Sequence, residues 1–162
     1  MKYLTITALL FLTACGFHPV YGTNKHTPIG IETKFQQIAI DSIPNREGQY
    51  LRNALIDRLY RNGRAKNTAY TLTITPLHET QRDLDITVDS NTTRAQLRIE
   101  TSIALIDATT HKPLFTRAIN ATASYNVLGS EFTNRVSEQS TRENILDDIA
   151  RQIEMQISLY FK

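Results

Sequence analysis

The amino-acid sequence predicts an α/β two-layer sandwich: a four-stranded, mostly antiparallel sheet with two helices packed on one face, in the order β-α-β-β-β-α. Three patterns lead there. Leucines at 51, 55 and 59, and isoleucines at 145, 149, 153 and 157, form two apolar stripes at helical spacing. Between them, from Tyr70 to Val127, apolar side chains alternate with polar ones, as in a sheet with one buried and one wet face. Each helix carries a single stripe, so covering the same face of the sheet satisfies both.

Taken in order, Gly22 to Lys34 is rich in Thr, Gly and Pro without a period and reads as a tether and irregular lead-in. Ile38-Ala39-Ile40 gives a short strand, ended by Ser42-Ile43-Pro44-Asn45. The first helix follows from about Glu47 to Tyr60, with Ala54 beside its stripe and Arg52, Asp57, Arg58 and Arg61 on other faces. Asn62-Gly63 stops it.

From Tyr70 the apolar residues fall on even positions (Leu72, Ile74, Leu84, Ile86 and Val88), while Thr71, Thr73, Thr75, Asp83, Asp85 and Asp89 take odd ones. This predicts one strand with its even side buried, bulged or interrupted at Pro76 and Glu79-Thr80-Gln81. Ser90-Asn91 turns the chain into a second strand whose inward positions are Ala95, Leu97, Ile99, Thr101, Ile103 and Leu105. A turn from Asp107 to Pro113 introduces a third, with Phe115, Ile119, Ala121, Ala123, Tyr125 and Val127 in phase. Pairing Leu105 with Phe115 sets Ile99 against Ala121 and Ala95 against Tyr125. It also sets Arg94, Gln96, Arg98 and Glu100 against Asn126, Ser124, Thr122 and Asn120. A slip of one residue would mix the apolar and polar sets, so the pattern selects its own register. In the last helix Tyr160 extends the isoleucine stripe and Leu146 lies beside it; the start falls between Thr133 and Arg142.

The amino terminus has a different character. Met1-Lys2-Tyr3 supplies one positive charge, and Leu4 to Ala14 is an uncharged, largely apolar run. That is the length of a signal-peptide core and well short of the roughly 20 residues a spanning helix needs. Leu12-Thr13-Ala14-Cys15 resembles a bacterial lipobox, which implies cleavage after Ala14 and S-diacylglycerol and N-acyl groups on Cys15. The alternative for Cys15 is a small buried hydrophobe. As the only cysteine of the chain it cannot close an internal disulfide or build a metal site by itself. Two or more acyl chains anchor stably where one holds only marginally. Gly16 rather than Asp follows the cysteine, which among bacterial lipoproteins implies the outer membrane.

These readings divide the chain into a signal peptide at 1–14, a lipidated N-terminus and tether at 15–34, and a single domain at 35–162. Removing the first 14 residues leaves 148, a usual single-domain size, with 17 basic and 16 acidic side chains. That near-neutral balance argues against nucleic acid as a partner.

Catalytic chemistry finds no residues to stand on. His18, His26, His78 and His111 are scattered, without metal-ligand spacing, and read as solvated; His18 is assigned no role. Asp83, Asp85 and Asp89 have strand spacing and no glycine turn, so a wet strand face explains them better than a calcium loop. There is no glycine-rich phosphate loop, nucleophile elbow or Cys/His pair. No metal or cofactor is expected, and the protein is expected not to be an enzyme.

Cys15-Gly16-Phe17-His18-Pro19-Val20-Tyr21-Gly22 is similar to the start of mature lipoproteins of the lipopolysaccharide-assembly family LptE. Tyr50-Leu51-Arg52-Asn53-Ala54-Leu55-Ile56-Asp57-Arg58-Leu59 resembles that family's Leu-Arg-Asn-containing helix, and the element order matches its fold. The resemblance spans nearly the whole mature chain. It implies an outer-membrane lipoprotein that partners and plugs the large LptD β-barrel and contacts lipopolysaccharide on its way to the outer leaflet. A scaffold subunit of another envelope machine, such as barrel assembly or secretion, without lipid binding, is the alternative.

Within the implied role, a polar sheet face suits a polar barrel lumen. Arginine recognises phosphate and carboxylate by paired hydrogen bonds, and Arg94 and Arg98 on that face are the candidate lipopolysaccharide contacts. The plainer reading is structural: if the first hairpin sets Asp83 against Arg98, the two form a cross-strand ion pair, and Arg94 then faces Thr87. Phe17, Pro19, Val20 and Tyr21 are apolar where a free tether would be polar, so this segment is expected near the membrane surface or the barrel.

Overall fold

The computed structural model describes residues 31–61, 63, 67–86 and 92–162. Ala14, Cys15, most of the lead-in, Asn62, Val88, Asp89 and the Ser90-Asn91 turn lie outside the described residues. The elements are α1 (Ile31–Phe35), β1 (Ile38–Ile40), α2 (Asn45–Leu59), β2 (Tyr70–Ile74), β3 (His78–Ile86), β4 (Thr92–Asp107), β5 (Pro113–Asn126) and α3 (Glu131–Tyr160). Both long helices pack on one face of the sheet around a single core.

The stretch read as irregular up to Lys34 closes with the helical turn α1, whose Ile31 and Phe35 are buried in that core. β1 is an edge strand, and α2 covers its outer carbonyls. The Tyr60 hydroxyl donates to Ile38 O at 2.7 Å, and Arg52 reaches Ile40 O at 3.4 Å. Satisfying these groups removes a template for edge-to-edge pairing. Helix α2 starts at Asn45, which takes φ 68°, a left-handed value that asparagine tolerates better than most residues. Leu51, Leu55 and Leu59 are buried as their spacing requires. So is Gly48, because a Cβ there would lie 2.7 Å from Ile43 Cγ2 and 3.0 Å from the Ile43 backbone carbon.

The sheet is four strands wide, but five strands fill the four places. β4 pairs with β5 on one side, and on the other with β2 and β3 laid end to end; β1 adds in parallel to β2. The β4–β5 register is the expected one, with Leu105 against Phe115, Arg98 against Thr122 and Arg94 against Asn126.

The expected single strand from Tyr70 to Val88 is split at Pro76, with a consequence for every residue after it. Ile74 faces Ile103 and His78 faces Glu100, so three residues on one strand stand opposite two on the other. This extra residue is a bulge, and it reverses which side chains face the helices. Hydroxyls fill the break: Thr101, buried, donates to Thr75 O at 2.8 Å, while Thr75 Oγ1 accepts from Ser102 N at 2.9 Å. Beyond it, Glu79, Gln81 and Asp83 share the helix side with Ile99, Leu97 and Ala95. Leu84, expected inside, is exposed, and a second irregularity follows between Asp83 and Asp85.

Helix α3 begins at Glu131, earlier than the Thr133 to Arg142 window. Its first ten residues carry no buried side chain, so no stripe marks them. Caps hold this end: Ser130 Oγ accepts from Thr133 N, and the Asn134 amide donates to Leu128 O at 2.8 Å and accepts from Leu128 N at 2.7 Å. From Thr141 onward Ile145, Ile149, Ile153 and Ile157 seal the core.

Candidate functional site

The face of the sheet opposite the helices is built by the outward positions of three paired strands. Reading across β3, β4 and β5, one row is His78, Glu100 and Asn120; the next is Thr80, Arg98 and Thr122; then come Arg82, Gln96 and Ser124. Arg94 follows beside Asn126, and its partner position on β3 is Asp85. This surface is polar because the outward positions of β4 and β5 are the wet halves of alternating strands, and β3 is polar on both sides from His78 to Asp83.

Arg94 and Arg98 therefore lie where the sequence placed them, on the open face and exposed. They are four residues apart on one strand, roughly 13 Å along it. The register across the first hairpin differs from the expected one. Asp83 faces Ala95 and Thr80 faces Arg98, so the anticipated Asp83–Arg98 pair does not form; Arg94 sits against Asp85, not Thr87. Arg98 instead pairs with Glu100, two residues along the same strand and on the same face. The Pro76 bulge carries Asp83 to the helix side, away from the face that holds Arg98.

The same bulge brings in a third arginine. Arg82, opposite Gln96, is exposed between Arg94 and Arg98 on the neighbouring strand. Neither Arg82 nor Arg94 forms an ion pair with a described side chain, whereas Arg98 is tied to Glu100. Three guanidinium groups around one glutamine, ringed by Thr80, Thr122, Ser124 and Asn126, can give paired hydrogen bonds to phosphate or carboxylate. Arg82 is invisible to alternation alone, because the phase of β3 depends on how many residues the break at Pro76 contains. Beside Arg98 an open hollow of about 400 Å³ is lined by His78, Glu100, Ser102 and Asn120.

Other charged clusters are internally satisfied. On the helix side Arg142 binds Glu79 and Glu138, and these bonds hold its guanidinium pKa above the ordinary value. Tyr125, close by, ionises above its usual range because burial disfavours the phenolate and Glu138 and Asp83 repel it. Between α2 and α3, Glu154 holds Arg58 at 3.3 Å and Arg61 at 3.2 Å. Tyr50 there is also raised, first by burial and then by Asp147 and Glu143. His111 takes φ 54° in the turn after β4, where its N–H donates to Asp107 O at 2.9 Å. Among the described residues no group of His, Cys, Asp and Glu is placed to hold a metal ion, and no helix is long and apolar enough to cross a membrane.

A family model described as LptE, lipopolysaccharide-assembly, matches residues 35–157. No curated protein matches the sequence. Among solved structures, a Caulobacter crescentus protein superposes with a TM-score of 0.64 at 20% identity, covering 82% of this chain and 96% of its own. A minor lipoprotein of Acinetobacter baumannii gives 0.63 at 21% identity, over 77% of this chain and 92% of its own. Rare lipoprotein B of Shewanella oneidensis gives 0.59 at 13%, over 75% and 92%. At these identities the structures speak for the shared fold.

Proposed function

Because the chain belongs to the lipopolysaccharide-assembly family LptE, we propose that it is an outer-membrane lipoprotein that plugs the LptD β-barrel and contacts lipopolysaccharide during its transport. In this reading Ala14 is the last residue of the signal peptide, and Cys15 carries the diacylglycerol and amide-linked acyl groups. Residues 15–34 link that anchor to the domain. The role is assembly and binding, with no bond made or broken by this chain.

The observation that supports it best is the uncovered sheet face with Arg82, Arg94 and Arg98 among threonine, serine, asparagine and glutamine side chains. Short polar side chains on a flat sheet can exchange hydrogen bonds with a polar barrel wall. Arginines on the same face complement the phosphate and carboxylate groups of lipopolysaccharide, and they act best where a surrounding lumen thins the water and screening. A helix-covered face would offer neither.

The test is capture of the lipidated chain from detergent-solubilised outer membranes, with mass spectrometry of what accompanies it. Recovery of a large barrel with the lipopolysaccharide-transport signature, together with lipopolysaccharide, is the expected result. Recovery of a barrel-assembly or secretion complex in its place overturns the reading and favours the scaffold role.

A further inference from the structure

We propose that the hollow beside Arg98 on the open sheet face is a binding site for an uncharged sugar ring. The proposal rests on the reading that lipopolysaccharide meets this face, and it gives the neutral sugars of that ligand a different place from its phosphates.

The hollow exists because small side chains are paired there. Ser102 of β4 stands opposite Ala118 of β5, while the neighbouring row holds the longer His78, Glu100 and Asn120, with Arg98 beyond it. Two short side chains next to taller ones leave a dip in an otherwise even face. Pro76 lines a further side, in the gap between the end of β2 and the start of β3. The space is about 400 Å³, within the range of small-ligand clefts. Its floor is held by the bulge. Thr75 N donates to Ser102 O at 2.9 Å, Ser102 N donates to Thr75 Oγ1 at 2.9 Å, and Thr101 Oγ1 donates to Thr75 O at 2.8 Å. A floor fixed in this way lowers the ordering cost of binding.

The chemistry of the rim selects the class of ligand. Arg98 and Glu100 are ion-paired, so they offer a guanidinium donor and a carboxylate acceptor whose charges cancel. Asn120 adds amide donors and a carbonyl acceptor, Ser102 a hydroxyl, and His78 an imidazole with one donor and one acceptor when neutral. A sugar hydroxyl both donates and accepts, and a mixed set of this kind suits several of them on one ring. Phosphate only accepts, and Glu100 repels it. Pro76 and Ala118 meet the carbon-bound hydrogens of the ring with a small apolar surface.

Arg82 and Arg94, which form no ion pair with a described side chain, lie further along the same face. From Arg94 to Glu100 along β4 is roughly 20 Å. A saccharide lying along this strand sets its phosphate-bearing end on Arg82 and Arg94 and an uncharged sugar in the hollow. The face thus has a direction, with its anion-binding end at Arg94 and its neutral end at Pro76.

The test uses the full mature chain in detergent micelles, followed by NMR, with three probes: a neutral heptose disaccharide, a neutral glucose trisaccharide and inorganic phosphate. At least one of the two sugars should saturably shift the amides of Ser102, Ala118 and Asn120 while leaving the Nε signals of Arg82 and Arg94 in place. Phosphate should do the reverse. Asn120→Ala should weaken the sugar roughly fivefold, the equivalent of one hydrogen bond. Ala118→Leu, at an exposed position, fills the hollow and should abolish the shifts. No saturable shift at the hollow with either sugar, wild-type affinity in Ala118→Leu, or phosphate moving the hollow amides as strongly as the sugars overturns the proposal. Failure of the wider reading shows elsewhere, as a different complex in the membrane capture, and does not depend on this titration.

Discussion

Arg142 of α3 grips Glu79 of β3 at two points, Nε to Oε2 at 2.7 Å and Nη2 to Oε1 at 2.8 Å, across the helix–sheet interface. Its Nη2 also binds Glu138 one helical turn back at 2.6 Å. None of the first ten residues of α3 is fully buried, and this arginine ties the polar part of the helix to the sheet. Arg142→Met should cost about 2 kcal/mol in urea unfolding, the usual size for charge-assisted hydrogen bonds with two carboxylates left unpaired. Glu79→Gln should cost about half of that, since one oxygen still accepts. An unchanged midpoint for both variants would make the pair decorative.

Gly48 should resist replacement even though alanine is the better helix former. Gly48→Ala gains about 1 kcal/mol of intrinsic helix propensity. It must also push a methyl group into Ile43, which is fully buried and contributes a backbone atom to the clash. Overpacking of this kind costs roughly 1–3 kcal/mol, so the net effect is a loss of about 1 kcal/mol in place of a gain. Thermal unfolding of the variant decides the sign.

The turn after β4 should loosen in acid. Asp107 accepts from Thr110 N at 2.7 Å, Thr109 N at 3.0 Å and Thr110 Oγ1 at 3.1 Å, and these bonds, led by that from Thr110 N, hold its pKa below the ordinary carboxylate value. A depressed folded pKa means stabilisation that is present above the unfolded pKa and lost as pH falls through the folded one. Carbon-detected NMR titration of the Asp107 carboxyl should place its midpoint below that of a model peptide, and Asp107→Asn should remove the corresponding slope from stability against pH. A midpoint at the peptide value refutes the assignment.

On the open sheet face, charge reversal should weaken lipopolysaccharide binding by the purified domain. Arg94→Glu and Arg82→Glu are each expected to lower affinity about tenfold, the equivalent of one charge-assisted hydrogen bond. Arg98→Glu should lose less, because its guanidinium is already shared with Glu100. Thr122→Ala, on the same face without charge, serves as the reference. Unchanged affinity in all three arginine variants removes them from the ligand contact.

The two helical stripes, the β4–β5 register and the polar character of one sheet face were legible in the residues, since each follows from a local period that burial enforces. Leu51 to Leu59, Ile145 to Ile157, and the pairing of Arg98 with Thr122 all lie as that period places them. The start of α3 was not, because caps and charges hold Glu131 to Ser140 without a buried stripe.

The face of each β3 residue was not legible either, and the candidate site turns on it. Sequence by itself predicted one strand from Tyr70, bulged or interrupted at Pro76 and Glu79-Thr80-Gln81, with Asp83 on its wet side. Only the tertiary structure decided that the break holds three residues against two on β4. That single extra residue sends Glu79 and Asp83 to the helices and Arg82 to the open face. The physical reason is that a strand's period is two: a local pattern reports alternation faithfully, while its phase is set by the partner strand, whose hydrogen bonds at Thr75, Thr101 and Ser102 close the bulge.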